Sequence, residues 1–148
     1  MSLDGLYDPE NIFAKVIRGD AAAVKVHETA DVLAFMDIFP QSEGHTLVVS
    51  KTSKARNILD IDPEDLSTVI HEVKRVAAGV RAALNPDGIV LMQFNGAPAG
   101  QTVFHLHFHI IPRWADRPIA PHAQGQMADL AALQSVGERI AAAILSAA

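Results

Sequence analysis

At 148 residues, with 49% apolar and 20% charged side chains, the chain holds one domain with one good hydrophobic core and is too short for two. Its formal charge of −5 argues against a bulk nucleic-acid binder, which needs a basic face, and leaves room for a small anionic ligand at a locally positive site. The lack of cysteine excludes a disulfide framework and any zinc site built on thiolates.

The opening stretch MSLDGLYDPENIF lacks a basic region followed by an apolar one, and no run reaches the roughly 18 apolar residues of a membrane span. A cytoplasmic protein without membrane contact is expected. Asn11 to Arg18 predicts a short helix, with Ile12, Phe13, Val16 and Ile17 at helical spacing and Gly19-Asp20 as its stop. Val24 to Glu28 and Val32 to Asp37 read as strands joined by a turn at 29–31. After a polar loop at 40–44, Thr46 to Val49 reads as a buried strand. The clearest helix runs from Pro63 to Leu84, with Asp62 as expected N-cap and Pro63 at the first helical position. Its apolar stripe is Leu66, Val69, Ile70, Val73, Val76, Ala77, Val80 and Leu84. Asn85-Pro86-Asp87-Gly88 ends it, and a strand at 89–94, a loop at 95–100 and a long strand at 102–111 closed by Pro112 follow. Beyond Arg113 come a Pro-rich stretch to Gly125 and a helix from about Met127 to Leu145. Short turns between consecutive strands in this α-β-β-β-α-β-β-α order predict an α+β domain on a mostly antiparallel sheet.

The segment Phe104-His105-Leu106-His107-Phe108-His109-Ile110 carries the chemistry. Side chains alternate faces along a strand, with same-face neighbours ~6.6 Å apart. Phe104, Leu106, Phe108 and Ile110 are therefore expected on a core face, and His105, His107 and His109 side by side on the other. Three imidazoles in a row admit three readings. They are histidines satisfied by backbone hydrogen bonds, or a zinc site completed by another ligand, or catalysis by one imidazole whose neighbours set its tautomer and charge. Spacing does not choose between metal and chemistry, although the sequence offers no carboxylate or thiolate next to the triad to complete a metal site.

The run His105-Leu106-His107-Phe108-His109-Ile110-Ile111, preceded by Asn95 and Gly100-Gln101-Thr102, closely resembles the histidine triad family. So do Phe35-Met36-Asp37-Ile38, Pro40-Gln41 and Gly44-His45-Thr46-Leu47-Val48-Val49, in the same order and spacing. The likeness runs from about Asn11 to Arg113, so 114–148 reads as a loop-and-helix extension of a single domain. It implies an α+β protomer that contributes five antiparallel strands to the joint sheet of a homodimer. It also implies a hydrolase or transferase that binds a purine nucleotide and cleaves the bond between the α-phosphate and its leaving group.

By the same resemblance, His107 is the nucleophile and forms a nucleotidyl-histidine that water hydrolyses. The carbonyl of His105 fixes the tautomer of His107, His109 contacts the phosphate oxygens, and His45 supports the triad through hydrogen bonds. Gly100, Gln101 and Thr102 serve the phosphate and leaving group, and Asn95 the phosphate or ribose. Asp37 receives the ribose hydroxyls, while Phe13, Phe35 and Ile38 wall the base. His27, His71 and His122 match nothing in the motif and read as surface or structural residues. Some bacterial relatives hold a structural zinc with Cys-x-x-Cys and a histidine. The matching positions here are Asn11, Ala14 and Ser53, so neither that metal nor any cofactor is expected.

Thr102 stands where the phosphoramidase branch commonly has serine. Gly100-Gln101-Thr102-Val103 with Ile111-Pro112-Arg113 leans towards the fragile-histidine-triad branch. Hydrolysis of a nucleoside phosphoramidate or an adenylated small molecule is the leading expectation. Dinucleoside polyphosphate hydrolysis is the alternative within the class, and a non-catalytic nucleotide-binding signalling module the alternative outside it.

Overall fold

The computed structural model describes residues 3–120 and 126–147, so His122 lies outside the described residues. Helix α1 (Ile12–Arg18) starts where Asn11 Oδ1 accepts the amide of Ala14 at 2.9 Å and ends at Gly19, whose φ of 86° suits glycine. Strands β1 (Lys25–Glu28), β2 (Val32–Met36) and β3 (Thr46–Ser50) follow, then α2 (Pro63–Leu84), β4 (Gly88–Met92), a 3₁₀ turn at Ala97–Ala99, β5 (His107–Arg113) and α3 (Leu130–Ser146). The expected order of elements and the limits of α2 agree with the structure. At the start of α2, Asp62 is extended as an N-cap should be, but its side chain makes no capping hydrogen bond. Ile70 is 43% exposed and leaves the predicted stripe. It follows Val69 by ~100° around the helix, beyond the arc that faces the sheet.

The five strands form one antiparallel sheet in the order β1-β2-β3-β5-β4. Every residue of β2 and β3 is buried, because both faces of the sheet are covered. On one face Val32, Ala34, Met36, Val48, Phe108 and Ile110 pack with Val69, Val73 and Val76 of α2 and with Leu133, Ile140 and Ile144 of α3. On the other, Leu33, Phe35, Leu47 and Val49 pack with Phe13 and Val16 of α1. Close docking of α3 requires glycine at two points. A Cβ on Gly79 would run into the Ile144 side chain, and one on Gly137 would stand 2.7 Å from Val24 Cγ1.

The long strand expected from Thr102 starts five residues later. Residues 102–106 bend away from the ladder, and the amide of Leu106 donates to the carbonyl of Ala55 at 2.9 Å. The bend breaks the predicted alternation, so Phe104 is only half-buried and lies beneath the Arg56 guanidinium, 4.8 Å from its ring centroid. Nor does Pro112 close the strand. It pairs with Ile89 of β4, beyond the last β3 partner at Ile110, and its carbonyl accepts the Ser42 hydroxyl on the side where β3 has ended. Its missing N–H therefore costs no ladder bond. No helix among the described residues is long and apolar enough to cross a membrane.

Ile140 is 0% exposed, and Ile140→Ala should lower unfolding free energy by about 2–5 kcal/mol in urea titrations. Leu145→Ala, at a side chain 76% exposed, should change it by no more than ~0.5 kcal/mol.

Candidate active site

Pairing of β3 with β5 sets Leu47 opposite His109 and Val49 opposite His107. Directly opposed residues share a face, so these two histidines rise on the side covered by α1. There they help line a cavity of about 360 Å³, together with Phe13, Phe35, Asp37, Ile38, Phe39, Thr102 and several apolar side chains. Its volume is that of a small-ligand pocket, mostly apolar with a few polar groups.

The hydrogen-bond partners settle the tautomers. His107 Nδ1 lies 2.7 Å from the carbonyl oxygen of His105. A carbonyl only accepts, so Nδ1 carries the proton and the lone pair of the neutral ring is on Nε2. The ring stands edge-on to Phe13, with centroids 4.8 Å apart. His45 has the opposite arrangement. Its Nδ1 accepts the Gln41 amide at 3.0 Å, so its proton is on Nε2, which donates to His109 Nδ1 at 2.9 Å and lies 3.4 Å from Asp37 Oδ2. His109 then carries its own proton on Nε2 and becomes a hydrogen-bond donor.

His105 does not join the other two at the cavity, which corrects the expected row of three. The bend takes its ring, 2% exposed, to the carbonyl of Ser50 (Nε2, 3.0 Å) and the hydroxyl of Tyr7 (Nδ1, 2.6 Å). Burial pushes its pKa below the ordinary value, opposed by the hydrogen bond to Ser50, so the ring is held neutral.

Asp37, absent from the sequence around the triad, is brought to it by the fold. One ligand-capable atom each from Asp37, His45 and His109 lie within 4.8 Å of one another. A cation there would need lone pairs on His45 Nε2 and His109 Nδ1 together. The Gln41 amide at His45 Nδ1 places the proton on Nε2, so this trio suits a shared proton better than a metal.

Two expected ligand residues have their side chains engaged elsewhere. Asn95 accepts from the Ile58 amide at 2.9 Å and exchanges two 2.8 Å bonds with the Gln93 side chain. Buried Gln101 accepts from the Gly96 amide at 2.8 Å and donates to the carbonyls of Arg56 (2.6 Å) and Val103 (3.0 Å). Both amides tie loop to loop, and neither residue lines the cavity. Thr102 does line it, and Gly100, at φ 107°, makes the turn before it. Asn11 and Ser53, where the resemblance would place zinc ligands, cap backbone amides of Ala14 and Ala55. His27 pairs with Glu72 at 2.7 Å, away from the cavity. Neither Tyr7 nor Ser50 stands in a spacing that signals a contact with His105, and Pro40-Gln41 in the sequence does not show that the Gln41 amide meets His45.

Comparison with known proteins bears on this geometry. Residues 18–116 match the family model of the HIT domain. The Hit protein of Bacillus subtilis (strain 168) is 43% identical over 103 residues, 70% of this chain and 70% of its own. Adenosine 5′-monophosphoramidase of Schizosaccharomyces pombe is 35% identical over 143 residues, covering 90% of this chain and 97% of that one. The crystal structure of a Hit-like protein involved in cell-cycle regulation from Bartonella henselae, solved with an unknown ligand, superposes with a TM-score of 0.88. It is 47% identical and covers 94% of this chain and 99% of its own.

The neutrality of His105 has a consequence for stability. The unfolded residue takes up a proton near 6.5, the folded one only at lower pH. Below 6.5 the unfolded chain binds the extra proton, so the stability this residue contributes is complete above 6.5 and is lost as pH falls towards the folded value. Urea denaturation should show His105→Asn further below the wild type at about pH 7.5 than at about pH 5.5. A gap independent of pH would contradict the assignment.

Proposed function

We propose a reaction for this site from one premise: the chain belongs to the histidine triad (HIT) family of nucleotide-binding hydrolases and transferases. In this reading the apolar cavity takes the purine nucleoside and the α-phosphate faces His107 and His109. His107 Nε2 attacks the α-phosphorus, the bond to the leaving group breaks, and the nucleotidyl-histidine is then hydrolysed by water, returning the ring to its starting tautomer. His109, with its Nε2–H, donates to a phosphoryl oxygen as negative charge develops there. The observation that carries the reading is the 2.7 Å bond from His107 Nδ1 to the His105 carbonyl, which places the lone pair on Nε2 of a cavity-lining ring.

The substrate we favour is a nucleoside phosphoramidate or an adenylated small molecule, supported by the similarity to the Schizosaccharomyces pombe phosphoramidase along most of both chains. Dinucleoside polyphosphate hydrolysis is the second reading. It is supported by Thr102, in place of serine, at the cavity wall. A homodimer belongs to the same proposal, supported by the position of β4 at the sheet edge with Leu91 52% exposed. The proposal includes no bound metal or other cofactor.

Mixing the protein with adenylated substrates should yield an AMP adduct on His107 by mass spectrometry. His107→Ala should abolish the adduct and lower turnover on the order of 10⁴-fold or more, since His109, the other cavity-lining imidazole, holds a proton and not a lone pair on Nε2. Full turnover in that variant would refute the mechanism, and tight mononucleotide binding without turnover would make the protein a binding module. A higher kcat/KM for a dinucleoside polyphosphate than for a phosphoramidate would reverse the choice of substrate. In solution the mass should be twice 15.9 kDa, and a monomer would remove the dimer from the proposal.

A further inference from the structure

The residues preceding α1 lie outside the family match at 18–116, yet they are fastened to the site. Asn57 Nδ2 donates to the carbonyl of Leu3 at 2.9 Å. Gly5 has φ at 147°, a backbone conformation that favours glycine, and it lies against the Arg56 guanidinium. This strap delivers Tyr7 to His105, 98 positions further on, with the hydroxyl 2.6 Å from Nδ1 and the two rings edge-to-face at 5.7 Å. The direction of that bond follows from the other side of the ring. The Ser50 carbonyl accepts from His105 Nε2, so Nδ1 holds the lone pair and the Tyr7 hydroxyl donates to it. His105 is thus held at both ring nitrogens while its own carbonyl accepts from His107 Nδ1.

We propose that Tyr7 is a positioning residue for the reaction at His107: its hydroxyl holds the His105 ring in the Nε2–H tautomer and thereby sets the His105 carbonyl against His107 Nδ1. The inference rests on the nucleophile reading above. Tyr7 does not line the cavity, and its contact with His105 gives it a route to the site. The ring it holds is buried, and without the hydroxyl Nδ1 loses its donor. The alternative, moving the proton from Nε2 to Nδ1, would set two lone pairs against each other at Ser50. Either outcome shifts the ring and the carbonyl attached to it. A nucleophile turned from its line of attack loses rate, whereas nucleotide binding in the cavity is left alone.

Tyr7→Phe removes only the hydroxyl. The full-length variant should show kcat lowered about tenfold, with KM for an adenylated substrate within about twofold of the wild type. Nitrogen-15 spectra of the histidine rings should move His105 away from the pure Nε2–H tautomer and displace the Nδ1 signal of His107. Unchanged kcat with unmoved His105 signals would overturn the proposal, as would a raised KM at unchanged kcat. If Tyr7→Phe does not fold, 3-fluorotyrosine labels Tyr7 alone, because the chain has a single tyrosine. A more acidic phenol should then shift the His105 Nδ1 and His107 Nδ1 signals together, and movement of neither would overturn the proposal. Should the wild type turn over no substrate at all, the reaction reading fails separately. The ring spectra still judge the contact: coupled shifts at His105 and His107 support it, and their absence overturns it.

Discussion

The contact between His107 Nδ1 and the carbonyl of His105 is the constraint that fixes which nitrogen of a cavity-lining ring bears the proton. A free imidazole interconverts its two neutral tautomers, and only one of them presents a lone pair to a ligand on the far side of the ring. A fixed carbonyl removes that ambiguity. The carbonyl is itself held by structure remote in sequence. The Leu106 amide is anchored on Ala55, the Gln101 amide ties 101–103 to Arg56 and Gly96, and the His105 ring is clasped by Ser50 and Tyr7. The two buried polar side chains ahead of β5, Gln101 and His105, thus take partners from other segments of the chain.

The same economy governs the second pair of histidines. His45 and His109 stand on neighbouring strands, both buried, and share one proton along the line that starts at the Gln41 amide. Neutral rings joined in this way avoid the desolvation cost of a buried charge and still end in a donor. An acidic chain can thus prepare a site for an anionic ligand through oriented N–H groups, with no excess of positive charge.

Burial of both sheet faces makes this possible. The α2 and α3 side supplies most of the apolar packing, which leaves the α1 side free to mix Phe13, Phe35 and Leu47 with imidazoles. Gly79 and Gly137 bring α3 close enough to complete that packing from the part of the chain that follows the family match.

Much of this was legible in the chain itself. Apolar periodicity and terminal signals located α2 from Pro63 to Leu84, since those cues are local and strong. The alternation around His107 and His109 placed them opposite Phe108 and Ile110, because a strand has only two faces. Local pattern could not show where the strand begins. Leu106 prefers the carbonyl of Ala55 to a ladder partner, a choice made by a loop some fifty residues earlier, and it moved His105 off the row and Phe104 out of the core. Asn95 and Gln101 have the residue types of ligand contacts, but tertiary neighbours occupy their amides. The amino-acid order thus determined the elements and the faces taken by His107 and His109. Which nitrogen bears the proton on His105 and His109 was decided only by folding, because a tautomer is set by the atom across from it, and those atoms come from Ser50, Tyr7 and His45 on distant stretches of backbone.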